Sequence, residues 1–200
     1  GYDVSSNTWK ELSVGCEACH GPGSRHVNAR AGNRRGTIIN PALLTFDLAA
    51  DICGQCHTRG KTPDGKYDYP VGYRPGIKLL PSHFTPVPFT DLKAWWPSGN
   101  VKKHRQQYLE WKDSRHRVAG VTCITCHSVH EAQTKFATRA APNNLCRSCH
   151  ADVSTDPETG HAPMPGAPQH SNCIACHMAP TGKSATRGDE RTHTFRVIEP

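Results

Sequence analysis

All ten cysteines of this 200-residue chain stand in one repeated pattern. Cys16-Glu17-Ala18-Cys19-His20 is the first copy and Cys53-Gly54-Gln55-Cys56-His57 the second. Cys123-Ile124-Thr125-Cys126-His127, Cys146-Arg147-Ser148-Cys149-His150 and Cys173-Ile174-Ala175-Cys176-His177 complete the set, and no cysteine falls outside it. Paired cysteines could form disulfides or zinc knuckles, but neither needs a histidine directly after the second thiol. With 13 His in the chain, five such hits by chance have odds of roughly one in a million.

C-x-x-C-H is the attachment site of c-type haem. Two thiols three positions apart lie on one face of a helical turn, within reach of the two vinyl groups of one porphyrin. The following histidine then gives its imidazole to the iron. Cys16, Cys19, Cys53, Cys56, Cys123, Cys126, Cys146, Cys149, Cys173 and Cys176 are therefore expected to carry five haem c groups, with His20, His57, His127, His150 and His177 as proximal ligands. Five haems also explain an odd composition. Hydrophobic residues make up 36% of the chain, and there are 17 Gly and 16 Pro, against a typical apolar share of about 45–50%. Porphyrins can stand in for an aliphatic core, and covalent tethers constrain the unfolded chain much as disulfides do. The expected fold is mostly α with extensive loops and little or no β-sheet, a single pentahaem domain over 1–200, standing alone or within a longer chain, wrapped around its cofactors.

Haem is attached to thiols outside the cytoplasm, so a periplasmic or extracellular protein is expected, with its signal peptide removed. No apolar stretch approaches the about 18 residues of a spanning helix. The formal charge of +7 does not call for nucleic acid. Each ferric haem with ionised propionates brings about −1, so five of them leave the oxidised protein near +2. The densest basic run, Arg25, Arg30, Arg34 and Arg35, reads as a solvated face, a partner for propionates or a docking site for an acidic protein.

The sixth ligand separates carriers from enzymes. Eight histidines remain outside the motifs: His26, His83, His104, His116, His130, His161, His170 and His193. That surplus suits irons held by two histidines each. The two methionines, Met164 and Met178, are too few to serve most of them.

Longer stretches add a resemblance. Residues 16–27 read Cys-Glu-Ala-Cys-His-Gly-Pro-Gly-Ser-Arg-His-Val, residues 177–180 His-Met-Ala-Pro and residues 191–197 Arg-Thr-His-Thr-Phe-Arg-Val. Between them lie Glu110-Trp111, Ser114-x-His116, Gly120-Val121-Thr122-Cys123 and Cys126-His127-x-x-His130. This ordered set resembles the multihaem cytochromes related to the tetrahaem cytochrome of ammonia oxidisers. It also resembles the multihaem domain that often precedes tetratricopeptide repeats and, more distantly, the pentahaem nitrite reductases. The resemblance implies distal ligands at His26, His130, His161 and His193, with His116 as the fifth. His83, His104 and His170 are lesser candidates. The Cys-x-x-Cys-Lys site usual on the catalytic haem of those reductases is absent, and so are the repeats.

Along the chain, Asn40-Pro41 marks a turn, and Asp47 to His57 reads as a short helix with Asp47 as N-cap. Residues 58–100 carry no motif after His57, but hold Tyr67, Tyr69, Tyr73, Phe84, Phe89, Trp95 and Trp96, which suit porphyrin faces or a docking surface. Residues 101–117 are the best helix candidate, with His104, Tyr108 and Trp111 on one face. Asn143 or Asn144 is placed to cap a helix through Cys146 and Cys149.

Three functions fit these features. The first is electron transfer through five mainly bis-His haems, serving redox partner proteins or extracellular acceptors in respiration, with no catalytic residue. A polymer of the same chain, forming a haem filament, is compatible with it. The alternative is an oxidoreductase acting on nitrite or hydroxylamine at a haem with an open distal side. None of the three involves nucleic acid or a membrane span.

Overall fold

The structure is a computed structural model and describes residues 2–3, 5–9, 13–131, 136–151 and 173–197. Short helices and long loops dominate it, and the chain divides into two compact units. One runs Gly1–Cys56 and Gly60–Pro86, the other His57–Arg59 and Val87–Pro200.

The first unit contains the two-residue ribbon β1 (Tyr2–Asp3) with β2 (Thr8–Trp9), then α1 (Glu17–His20), α2 (Ser24–Asn28) and α3 (Phe46–Gly54). A second ribbon pairs β3 (Gly60–Lys61) with β4 (Thr85–Pro86). At nine residues α3 is the longest described helix. It buries Ala49, Ala50, Asp51 and Ile52, and Leu79 and Phe84 are fully buried in the same unit. Asp51 is tolerated inside because its carboxylate accepts from the Leu79 amide at 3.0 Å. Asp47 lies in the first turn of α3, and Thr45 is the N-cap, without a side-chain bond. The acid therefore meets the positive end of the helix from inside the turn instead of capping it. Asn40 does make the expected turn, accepting from the Ala42 amide at 3.1 Å ahead of a 3-10 turn at Pro41–Leu43.

Gly60 is the tightest point of that unit. A Cβ there would collide with the Thr85 carbonyl, and would meet the Pro86 Cα at 2.8 Å and the Phe84 ring at 2.9 Å. Backbone cannot move aside as a flexible side chain can. Gly60→Ala should cost about 1–3 kcal/mol in denaturant unfolding with haem content unchanged; an unaltered midpoint would refute this packing.

The second unit holds α4 (Gln107–Lys112), α5 (Arg115–Val118), α6 (Cys123–Cys126), α7 (Pro142–Arg147) and α8 (Cys173–His177). The hairpin β5 (Pro180–Lys183) with β6 (Arg187–Arg191) follows. Asp189 caps the hairpin loop by accepting from the amides of Ser184, Ala185 and Thr186 at 2.7–2.8 Å, which hold its carboxyl down at about 2. The core is Ala94, Trp95, Val101, Tyr108, Leu109 and Trp111.

The expected helix over 101–117 is not continuous. Val101 bridges to Trp95 and Lys103 to Lys183, so residues 101–103 are extended. Arg105 sits at φ +63°, which no α-helix allows. The helix begins only at Gln107, and Ser114 then caps a second short one, accepting from the Arg117 amide at 3.4 Å. Tyr108 and Trp111 are buried as their spacing implies.

The aromatic segment is divided between core and surface. Phe84 and Trp95 are fully buried in protein, whereas Tyr67, Tyr69 and Phe89 are about half exposed. No described helix is long and apolar enough to cross a membrane.

Candidate haem-binding sites

Each motif occupies a single helical turn. The His20 amide donates to the Cys16 carbonyl at 2.9 Å, His127 to Cys123 at 2.9 Å and His150 to Cys146 at 2.9 Å. In the second motif Cys56 donates to Cys53 at 3.1 Å, and the fifth motif is α8 itself. The described residues include all ten cysteines and hold no disulfide.

The motifs are braced from outside. In the first unit the Gln55 amide donates to Ala18 O at 2.8 Å and Ile52 O at 2.7 Å, and accepts from Tyr69 OH at 3.0 Å. One side chain inside the second motif thus fixes the first. Burial pushes the Cys19 thiol up, with Cys53 and Cys56 close enough to add to it. In the second unit Asn143 does not cap its own helix, which starts at Pro142 after Ala141. Its Oδ1 instead accepts from the Cys173 amide at 2.8 Å and so caps α8. Arg191 Nη1 donates to Ile174 O and Met178 O, both at 2.9 Å, closing the other end of the fifth motif. Burial and the neighbouring Cys173 raise Cys146 to about 11, and burial with nearby Cys149 raises Cys126. Motifs three, four and five are therefore gathered together.

The imidazoles are set for a metal. His20 Nδ1 meets Ile39 O at 2.7 Å, and His127 Nδ1 meets Phe136 O at 2.9 Å. A carbonyl can only accept, so Nδ1 carries the proton and Nε2 keeps its lone pair for an iron. His57 Nδ1 faces Gln107 Oε1 at 3.2 Å, because the Gln107 amide nitrogen donates to Glu190. Among the distal candidates, His193 Nδ1 faces Arg191 O at 3.1 Å. His26 Nδ1 faces Thr37 Oγ1 at 2.8 Å, whose own proton goes to Arg34 O at 2.6 Å. His83 has the same arrangement, with Nδ1 on Lys78 O at 3.0 Å, and it lines a cavity of about 300 Å³ with Tyr67 and Val71. A lone histidine in a Pro-rich loop gives no periodic signal, so sequence ranked it low. His104 differs, since its Nε2 accepts from Arg59 Nη1 at 2.9 Å and burial lowers its pKa. His130 is exposed. His161, like His170 and Met164, lies outside the described residues.

Two histidine pairs stand out in the second unit. The rings of His116 and His150 are 6.0 Å apart between centres, with planes at 76°. Those of His127 and His193 are 6.4 Å apart at 25°. Each pair joins a motif histidine to a remote one. Two imidazoles bound to one metal at about 2.0–2.1 Å per nitrogen place their ring centres roughly 6 Å apart. Burial drags the His193 imidazole down to about 4 and also lowers His116, so neither needs to shed a proton at neutral pH before binding a metal.

Sequence had given Glu110 no role. It is 1% exposed, in the middle of the apolar run Tyr108–Trp111. Its Oε1 accepts from the Val101 amide and Thr192 Oγ1, both at 2.7 Å, and its Oε2 from the His193 amide at 2.6 Å. Burial raises its carboxyl to about 7. This acid is what places the His193 backbone.

Covalently bound haem fits these residues for a further reason. Val14, Val27, Val118, Val129 and Phe136, all 63–83% exposed, sit within three residues of Cys16, His26, His116 and His130 or carry the carbonyl that holds His127. A porphyrin would cover such apolar surface.

Comparison with known proteins agrees. The family described as the doubled CXXCH motif matches residues 116–155, the third and fourth motifs. The chain is 22% identical to "Cytochrome c nitrite reductase subunit NrfA" of Nitratidesulfovibrio vulgaris, over 74% of this chain and 34% of that one. It is 25% identical to "Multiheme cytochrome MtrA" of Shewanella baltica, over 76% of this chain and 32% of that one. The chain thus spans about a third of the length of these curated relatives. Among solved structures, the Outer Cell Wall Cytochrome OcwA superposes with a TM-score of 0.70 at 25% identity, covering 96% of this chain and 51% of that one. The loop-rich fold with its short helices and the five-fold cysteine pattern thus have one explanation: the chain is a multihaem c-type cytochrome, with distant similarity to the nitrite reductases.

Proposed function

We propose that this chain transfers electrons through five c-type haems, one per motif, with mainly bis-His iron, as one pentahaem module. The observation that carries this is the pair of histidine couples, His116 with His150 and His127 with His193, at ring separations of 6.0 and 6.4 Å. Held between two such imidazoles, an iron would have no free position for a substrate and would supply one-electron chemistry. The polypeptide's part is to hold the imidazoles, fix their tautomers and limit water. His26, and His161 beyond the described residues, complete the distal set together with His130; the orientation of His83 makes it the competitor for the exposed His130.

The site of action is periplasmic or extracellular, in keeping with the outer cell wall named for OcwA. Redox proteins or external acceptors are the partners in respiration, and a second copy is a further partner if the chain polymerises into a filament. The enzyme alternative draws on the distant likeness to a nitrite reductase subunit.

The reduced holoprotein should show five haems per chain by alkaline-pyridine assay and mass, and an optical spectrum unmoved by carbon monoxide. A carbon monoxide shift in about a fifth of the haem would reveal an open iron and favour the nitrite or hydroxylamine reading. Light scattering that finds only monomer at high concentration would remove the filament.

A further inference from the structure

His116 and His193 serve two different irons in the reading above, yet they share one neighbour. The Phe195 ring centre lies 4.2 Å from that of His116, tilted at 56°, and 5.9 Å from that of His193, nearly edge-on at 75°. Phe195 sits at φ +56°, a left-handed conformation that bulky residues rarely adopt and that persists only when the surroundings over-determine it. They do so chiefly on the side before it, since the ion pair after it is exposed. Before it, Thr194 donates from Oγ1 to Asn100 Oδ1 at 3.3 Å and from its amide to Thr192 Oγ1 at 3.3 Å. After it, Arg196 reaches Asp113 Oδ2 at 3.1 Å. The backbone is pinned so that the ring projects between two imidazoles.

The two couples have different shapes. His127 and His193 are near-parallel at 25°, whereas His116 and His150 are near-perpendicular at 76°. An imidazole turns about its metal–nitrogen bond with little intrinsic preference, so packing on its flank, together for His193 with the Nδ1 contact to Arg191 O, decides where its plane rests. We propose that Phe195 is a positioning residue shared by two iron sites, a wedge that sets the ring planes of His116 and His193 and so makes the two irons electronically inequivalent. The inference rests on the bis-His reading above and adds what orients two of its histidines. Parallel imidazoles draw on one iron d-orbital and split it from its partner. Perpendicular ones draw on each in turn and leave the two nearly degenerate.

Paramagnetic resonance of the frozen, fully oxidised holoprotein reads this difference directly, without any turnover assay. The expected spectrum contains a rhombic low-spin component and a strongly anisotropic component at lower field, each at least a fifth of the iron. Absence of either from the wild-type spectrum would overturn the proposal, whatever the variants do. His193→Met should remove a share of the rhombic component, and His116→Met a share of the anisotropic one. Each should add the near-red absorption band of a thioether-bound ferric iron. If neither substitution alters the spectrum, these histidines are not ligands and the bis-His assignment itself falls. Phe195→Leu should displace both components together at unchanged haem content, and Phe195→Tyr, which keeps the ring, should restore them. Histidine variants that behave as expected beside a Phe195→Leu spectrum identical to wild type would keep the ligands and sink the wedge.

Discussion

Glu110→Ala should lower the stability of the holoprotein by roughly 3–5 kcal/mol near pH 5, measured by denaturant unfolding. The carboxyl group is 1% exposed and takes bonds from Val101 N, His193 N and Thr192 Oγ1. Removing it strands two buried amides, each costing about 1–3 kcal/mol, and leaves a cavity. Thr192 suffers less, because Asn100 Oδ1 lies 3.2 Å from its hydroxyl as a second acceptor. The effect depends on pH in a definite direction. The folded carboxyl titrates at about 7 against 4.5 for an unhindered one, so the native state holds the proton longer. Its stabilising contribution is complete below about pH 4.5, declines as pH rises to about 7, and is constant above that. At about 1.4 kcal/mol per unit the decline amounts to roughly 3 kcal/mol. Glu110→Gln should flatten that decline while itself costing about 1–3 kcal/mol, since its NH₂ must face either the His193 amide or the Val101 amide, donor against donor. Wild type and Glu110→Gln running parallel from pH 4.5 to 7 would show that this acid does not titrate as described.

Trp95→Ala is the second large effect, about 3–5 kcal/mol. Trp95 is fully buried, packs on Phe89 at 4.3 Å between ring centres, and donates from Nε1 to Val87 O at 3.4 Å. It also bridges to Val101, whose amide is one of the three donors on Glu110. Loss of the indole should thus loosen Val101, then Glu110, then the His193 backbone. The expected signature is a lower unfolding midpoint together with a broadened His193-linked low-spin signal. Trp95→Phe should recover most of the stability. A stability loss below about 1 kcal/mol for Trp95→Ala would mean that the core is not centred here.

Covalent haem c chemistry was legible in the sequence, because C-x-x-C-H needs only one helical turn and its spacing is local. The sequence disclosed the loop-rich fold through composition. The helix over 101–117 was misjudged, because side-chain period cannot report a backbone that turns left-handed at Arg105. Asn143 or Asn144 was read as the cap of the helix through Cys146 and Cys149, but the Asn143 acceptor serves Cys173, 30 residues on. Partnerships of that range leave no mark in a local pattern. The same limit hid the pairing of His116 with His150 and of His127 with His193, although all four residues had been singled out. Glu110 did leave a signal, a lone acid inside the apolar run Tyr108–Trp111.

The gathering of thiols around Cys126, Cys146 and Cys173 bears on how such a protein is made. Cys146 lies against Cys173, and Cys126 stands close to Cys149. In an oxidising compartment these neighbours from different motifs are natural mispairing partners. The proximity that brings redox centres near one another is thus a hazard to the bare chain. Maturation is expected to demand a reducing supply and attachment ahead of compaction, with each thioether removing a sulfur from the pool that can scramble.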